Sequence, residues 1–320
     1  MIIVYHKNNT VVKIVRNDEP FVFALNSIAT ALVNLAKSYP QEWIIWCAID
    51  FESYWNKETF NSIFHHHKIM ASYSLAKQNY IPDAIGYVEE SPFINVNKKV
   101  SYPTWLMSSE IGGIHASVLK EIGSQIKTTA NFNYFLNSVA KIGMRAGLLC
   151  YSDPRLLLAG TPKVKVYQST TNYMLFRFVK QHYKKRWLLL LFLNLVLFEK
   201  RFPILPFCAA LFFKSRKNIK FDVEAISVQS SLKTADKKTI DVIIPTIGRK
   251  KYLYDVLKDL AEQTHLPEKV VIVEQNPLKA SVSELDYLTT ESWPFTIKHI
   301  FTHQAGACNA RNLALEQVES

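Results

Sequence analysis

Cysteine is scarce and scattered. Cys47, Cys150, Cys208 and Cys308 stand far apart in a chain of 320 residues, with no CxxC pair. That excludes a zinc framework and a disulfide-stapled scaffold, and it fits a reducing cytoplasm. No apolar run reaches the roughly twenty residues that a helix needs to cross a bilayer. The opening MIIVYHKNN has neither a charged leader nor a long apolar region, so no signal peptide is expected. Acidic residues are outnumbered, 27 against 38 Lys and Arg, for a formal net charge of +11. Such an excess points to nucleic acid, an anionic membrane surface or phosphorylated substrates as partners. Apolar residues are not lacking. At 48% they exclude global disorder, and the length is enough for two ordinary domains.

The most legible stretch is Lys238 to Glu274. Ile240 to Ile244 is a continuous apolar run, broken only by Asp241, of the kind that suits a strand buried on both faces. Pro245 is expected to end it, since proline cannot donate to a ladder. Leu253, Val256, Leu257 and Leu260 recur at helical spacing, so Lys251 to Gln263 reads as an amphipathic helix. Val270 to Val273 is a second buried strand. Strand to strand is about thirty residues, the length of one βαβ unit. Thr246, Arg249 and Glu274 then fall at the carboxyl ends of neighbouring parallel strands, where open α/β sheets bind ligands. Downstream, Ser283 to Thr290 reads as a short helix, Thr296 to Phe301 as a strand, and Cys308 to Val318 as a helix. The amino end of that last helix is suited to a diphosphate.

The run DVIIPTIGRKKYLYDVLKDLAEQT, followed by KVVIVEQNP and then QAGACNARN, resembles the opening of family 2 glycosyltransferases. The resemblance covers residues 238–320 and implies a GT-A fold, a Rossmann-like α/β architecture. It implies that Pro245, Thr246, Arg249, Glu274, Gly306, Arg311 and Asn312 contact the nucleotide of a sugar donor. Glu274 stands where the family more often has Asp. The family's next strand ends in a DxD metal motif, which is not present before Ser320, so residues 239–320 are expected to be a truncated, nucleotide-binding half of such a domain, or part of a longer enzyme.

Residues 1–165 read as a second, shortened α/β unit. Met1 to Tyr5 and Val11 to Val15 are strands around a turn, Ser27 to Tyr39 is a helix capped by Asn26 or Ser27, and Trp43 to Ile49 is a buried strand. Asp50 and Glu52 follow that strand two residues apart, the spacing for a divalent cation shared with substrate phosphates; the other reading is a solvated helix start. Lys57 to His67 reads as a helix whose three histidines, His65 to His67, lie on a solvated face. Ser72 to Lys77 reads as a strand, and Gly112 and Gly113 permit close backbone approach by a ligand. Ala116 to Ile122 and Tyr134 to Ala146 are helices, and Leu148 to Tyr151 is a strand. Here too the order resembles the family. WIIWCAIDFES is similar to its metal-binding strand end, SSEIGGIHASVLKEIG to its acceptor-lining segment, and NFNYFLNSVAKIGMRAG to the helix that carries its catalytic base. The matching positions are Ala130 and Asn131, and an amide cannot accept that proton. Glu110, beside the paired glycines, is the carboxylate left for an acid–base role, whereas Glu89 and Glu90 read as an exposed loop.

Positive charge concentrates in residues 166–222. Asn172 to Tyr183 is an aromatic, basic helix. Two apolar runs of about twelve residues, Trp187 to Phe198 and Phe202 to Phe213, lie between Lys184, Lys185, Arg186, Lys200, Arg201 and Lys214. They suit helices lying in the interface of an anionic membrane, or a buried hairpin packed on the sheet unit. Cations flanking Leu and Phe runs are not the polar groove with stacking platforms that nucleic acid needs. A polar linker is expected over 223–238.

These readings imply an α/β protein with GT-A-like mixed sheets. A shortened unit, 1–165, and a truncated βαβ half, 239–320, are joined by a helical hydrophobic and basic segment. They imply a hexosyltransferase-type enzyme that uses a nucleotide-sugar, a divalent cation (Mg or Mn) and a glycan or lipid-linked acceptor. It would be cytoplasmic and peripheral on the inner face of the membrane. The other reading is a non-catalytic nucleotide-sugar-binding or scaffold protein at that surface.

Overall fold

Ile2–Lys7 and Trp43–Ala48 are apolar without alternation, as strands covered on both faces must be, and they lie side by side at the heart of a mixed sheet. The computed structural model describes residues 1–23, 27–76, 80–81, 97–126, 131–160, 170–219, 226, 228, 230–231 and 239–319. The chain divides into two units, Met1–Ser231 and Leu232–Ser320. The linker expected over 223–238 lies largely outside the described residues, as do Asn26, Lys77, Glu89, Glu90 and Ala130.

Among the described residues the first unit has an eight-stranded sheet. Its strands are β1 Ile2–Lys7, β2 Thr10–Arg16, β3 Glu19–Pro20, β4 Trp43–Ala48, β5 Ile69–Tyr73, β6 Tyr102–Pro103, β7 Ile111–His115 and β8 Leu149–Ser152, in the order β3-β2-β1-β4-β7-β5-β8-β6. Asn8 and Asn9 take positive φ, 50° and 65°, and close the β1–β2 hairpin. β1 and β4 are parallel, as are β5 and β8, and β7 runs antiparallel between β4 and β5. The carboxyl ends of β4, β5 and β8 and the amino end of β7 therefore share one edge.

Helices α1 Ile28–Ser38, α3 Ala116–Gln125 and α4 Phe132–Gly143 cover one face, packing on Ile2, Val4, Ile44, Trp46, Met70 and Ile114. The opposite face, with Ile3, Ile45 and Ile69, is covered by Phe51, Trp55, Leu156 and the short helix α2 Phe60–Ile63. The helix expected over Lys57 to His67 is only this short piece and the 3-10 turn before it. Phe60, Ile63 and Phe64 wedge under the sheet and the chain turns away. His66 is buried, and His67 stacks on His115 with ring centroids 3.7 Å apart, so the three histidines do not share a solvated face.

Gly112 and Gly113 also differ from expectation. Both are buried in β7, and their backbone meets neighbouring strands rather than an opening for a ligand. A Cβ at Gly112 would stand 2.4 Å from Trp46 Cζ2 and 2.6 Å from the Ala71 carbonyl oxygen.

The basic segment folds as α5 Asn172–His182, α6 Lys185–Leu197 and α7 Ile204–Leu211. Leu175, Phe176, Phe178 and Val179 of α5 lie in the core of the first unit, joined by Leu188, Leu191 and Leu195 of α6 and Ala210 of α7. The outer stripes of α6 and α7 remain exposed. No helix among the described residues is long and apolar enough to cross a membrane.

The second unit is β9 Asp241–Thr246, α8 Lys250–Ala261, β10 Lys269–Gln275, α9 Tyr287–Thr290, β11 Thr296–Thr302 and α10 Ala307–Leu315. The three strands are parallel in the order β11-β10-β9. Val270 and Ile272 pack on Leu253 and Leu257 of α8, with Tyr287 and Leu288 of α9 on the same side. Val271 and Val273 pack on Ala310 and Ala314 of α10. Pro245 does not end β9 but lies within it, opposite Val273. Among the described residues β9 pairs on one side only, and an edge strand tolerates a residue without an N–H. Both units thus have the Rossmann-like α/β architecture expected from the sequence.

Two outcomes follow from this packing. Gly112→Ala drives a methyl into a backbone carbonyl that cannot move aside, so chemical denaturation will show a loss of about 3 kcal/mol. His6, His115 and His182 are held neutral by burial, with pKa values lowered to about 4, 4 and 3. The unfolded chain takes up these protons near pH 6.5 and the folded chain does not, so stability is present above 6.5 and falls as pH drops through 4. Each imidazole contributes up to roughly 3 kcal/mol. Denaturation midpoints measured from pH 7 to pH 4 will fall, and His115→Phe will flatten part of the slope.

Candidate functional site

Parallel pairing aligns the strand ends of the second unit. Glu274 lies opposite Thr246 on β9 and Phe301 on β11. Thr246, Glu274 and His299 share the sheet face that packs on α8, because alternate residues of a strand point the same way. Both Thr246 and Glu274 are buried. The Glu274 Oε2 atom accepts from Ser283 Oγ at 2.5 Å and is 3.0 Å from His299 Nε2. Gln275, the next residue, faces the other way. Its Oε1 accepts from the Gly306 N–H at 2.6 Å.

Gly306 holds φ at 149°, a conformation that L side chains rarely adopt, and its carbonyl accepts from the Ala310 N–H as α10 begins. Arg249 caps α8, which follows Gly248 at φ 59°. Both helices therefore start at the carboxyl edge, with their unpaired N–H groups and partial positive charge there. The structure brings Thr246, Arg249, Glu274 and Gly306 to this one edge. Arg249, Arg311 and Asn312 are exposed, and Pro245 sits one residue back from it. Sequence reasoning missed Gln275, Ser283 and His299. Only the strand alternation at Gln275 offered a signal.

The first unit has its own polar crevice at the shared edge of β4, β5, β7 and β8. A cavity of about 50 Å³ is lined by Ser72, Ser74, Ser108, Glu110, Asn133 and Asn137, among others. Asn137 Nδ2 donates to the Met107 carbonyl at 2.9 Å, and Asn133 Oδ1 accepts from the Ser109 N–H at 3.0 Å. α4 so clamps the chain entering β7. Glu110 is 3% exposed, and its carbonyl accepts from the Ala48 N–H at the exit of β4. Its carboxylate accepts from Ser74 Oγ at 2.7 Å and from the Leu75 N–H at 2.8 Å. Burial pushes its pKa up, and these two hydrogen bonds oppose the shift without cancelling it. A carboxylate so placed is suited to accept a proton from a hydroxyl.

Asp50 and Glu52 lie in the 3-10 turn Ile49–Tyr54 just past β4. Asp50 is exposed, while Glu52 Oε1 accepts from Lys13 Nζ of β2 at 2.6 Å. Among the described residues no group of three or more His, Cys, Asp or Glu is arranged to hold a metal ion. Asn131 serves as the amino cap of α4, its Oδ1 accepting from the Tyr134 N–H at 2.8 Å. An amide at this position satisfies the helix end as well as a carboxylate would.

Residues 241–320, one quarter of the chain, match the family model described as Glycosyl transferase family 2. No curated protein matches the chain, and no solved structure matches it. The matched segment contains β9 to α10 and every residue placed at the second unit's edge.

Glu110 supplies a test in the first unit. Its folded pKa is raised, so its charge costs stability once pH rises above the ordinary carboxylate range. Glu110→Gln will therefore raise the urea midpoint at pH 8 and leave it nearly unchanged at pH 4. A lower midpoint at pH 8 would show the carboxylate to be a structural acceptor instead.

Proposed function

We propose that this chain, whose residues 241–320 match the family 2 glycosyltransferase model, transfers a hexosyl group from a nucleotide-sugar to a glycan or lipid-linked acceptor. In this reading it works as a peripheral protein on the cytoplasmic face of a membrane. The observation that carries the reading is the register of β9 and β10. It sets Thr246 beside Glu274 at the edge where Gly306 opens α10, all within the matched segment.

Each group has a role there. Glu274 accepts hydrogen bonds from the base or ribose, and the Thr246 hydroxyl donates or accepts one there. Arg249, Arg311 and the amino end of α10 meet the diphosphate, where charge-assisted bonds are strongest. Pro245 stiffens the strand end, and Asn312 adds a polar group one turn along. Arg249 and Arg311 gain most as negative charge builds on the leaving diphosphate.

Chemistry of this class joins the acceptor oxygen to the anomeric carbon as the bond to the diphosphate breaks, with inversion. Within the first unit Glu110 is the carboxylate suited to take the proton of a hydroxyl bound there. Asp50 and Glu52 are the carboxylates that would hold a divalent cation, Mg or Mn. Lys13 Nζ is 2.6 Å from Glu52, so a cation held there would have to take the place of that ammonium. Such an ion would neutralise the diphosphate of a donor held by the first unit itself.

A second reading rests on Asn131 and Lys13. With an amide capping α4 and an ammonium on Glu52, the chain is a non-catalytic nucleotide-sugar-binding or scaffold protein.

Calorimetric titration of the full chain with UDP and GDP, with and without Mn²⁺, tests both. Micromolar binding is expected, weakened about 10- to 100-fold by Arg249→Ala or Arg311→Ala, the range for losing a bond to a charged group. Binding accompanied by slow hydrolysis of a sugar donor supports transfer. Binding without turnover of any donor supports the scaffold. No nucleotide binding sinks both.

A further inference from the structure

Ten of the exposed large apolar side chains of this protein fall between Leu189 and Phe212, on α6, α7 and the turn joining them. Leu188, Leu191 and Leu195 turn inward to the core, while Leu193 and Leu197 face out, 40% and 58% exposed. On α7, Pro206 and Ala210 are buried while Leu205 and Leu211 face out, and Phe198, Phe202 and Phe212 extend the same exposure at the helix ends. The rings of Phe192 and Phe207 meet at 5.2 Å and tie the two helices together. Both outward stripes thus lie opposite one shared core. An exposed apolar surface of this extent is a docking surface.

The surrounding charge selects the occupant. Lys184, Lys185 and Arg186 precede α6, Lys200 and Arg201 form the turn, and Lys214 follows α7. Glu199 is the one acid between residues 184 and 214, and its carboxylate is 3.4 Å from Arg201. Cations therefore stand at both ends of both helices. Two copies of this face pressed together would set cation against cation. An anionic lipid surface meets every one of them with opposite charge.

The same arrangement fixes the pose. Neither helix can cross a bilayer, at 13 and 8 residues. Entry by the turn first would carry Lys200 and Arg201 into the acyl region, where each charge is costly. We infer that α6 and α7 lie flat in the headgroup boundary of an anionic leaflet, apolar stripes toward the acyl chains and cations on the lipid phosphates. This deepens the membrane part of the function proposed above.

Co-sedimentation of the full chain with phosphatidylcholine vesicles, with and without about one third phosphatidylglycerol, tests the inference. Binding is expected only to the anionic vesicles, and about 0.5 M NaCl should weaken it by screening the exposed cations. The pair Leu193→Ser and Leu205→Ser should lower it at least tenfold with an unchanged melting temperature, since neither side chain is buried. The pair Lys200→Leu and Arg201→Leu separates the poses. A flat helix pair loses about fivefold per cation removed, whereas a pair that enters turn first gains. Overturning results are equal binding to neutral vesicles, a gain from the turn variant, or no vesicle binding together with a dimer mass by light scattering. Nucleotide titration of the same preparation reports on the transferase reading separately, because vesicle binding needs no nucleotide.

Discussion

Trp46 lies against the backbone of Gly112, so close that even a methyl group there would overlap both the indole and the carbonyl of Ala71. The arrangement of the first unit depends on this approach. β7 can pass between β4 and β5 only because its middle residues lack side chains, and Gly113 makes the same concession to Ile45 and Phe64. Once β7 is in place, its antiparallel direction brings Glu110 back to the edge where β4, β5 and β8 end. The buried carboxylate, the serines around it and the asparagines of α4 are assembled by a strand that runs against its neighbours.

The second unit reaches a similar edge by simpler means. Three parallel strands with a crossover helix between them put every carboxyl end on one side, as the chain order alone requires. β10 is the middle strand and is buried along almost its whole length, whereas β9 and β11 are half-buried. Alternation along β10 then divides the work between faces. Glu274 turns toward the α8 side, and Gln275 turns toward α10 and the glycine turn. A one-residue slip of β10 would exchange them and lose both contacts.

This division explains what the sequence made legible. The β9–α8–β10 unit rests on local periodicity, and its bounds match expectation closely. The edge residues followed from topology, since parallel strands place their ends together whatever the details. Contacts between distant segments leave no periodic trace. Lys13 meets Glu52 across the sheet from β2, and the His67–His115 stack joins a bend to the end of β7. The paired glycines were read as room for a ligand because a glycine's openness is visible in sequence and the side chain that fills it is not. Asn131 shows the reverse case. Its poor fit to proton transfer was legible, but its service as a helix cap needed the structure.

The hydrogen bonds on Glu274 bear on how its edge can act. A free carboxylate at a strand end rotates, and a ligand must bear the entropy of fixing it. Here Oε2 is already held by Ser283 and His299, which arrive from the loop after β10 and from β11. Among the described residues Oε1 has only a long contact of 3.5 Å, from the Glu284 N–H. One oxygen therefore orients the group and the other is nearly uncommitted. Gln275 does the corresponding work on the opposite face by fixing the glycine turn through a short bond to Gly306. Under the proposed reading, a nucleotide meets an acceptor and a helix amino end that are both oriented before it arrives. Its binding free energy then goes into the contacts themselves rather than into ordering the edge.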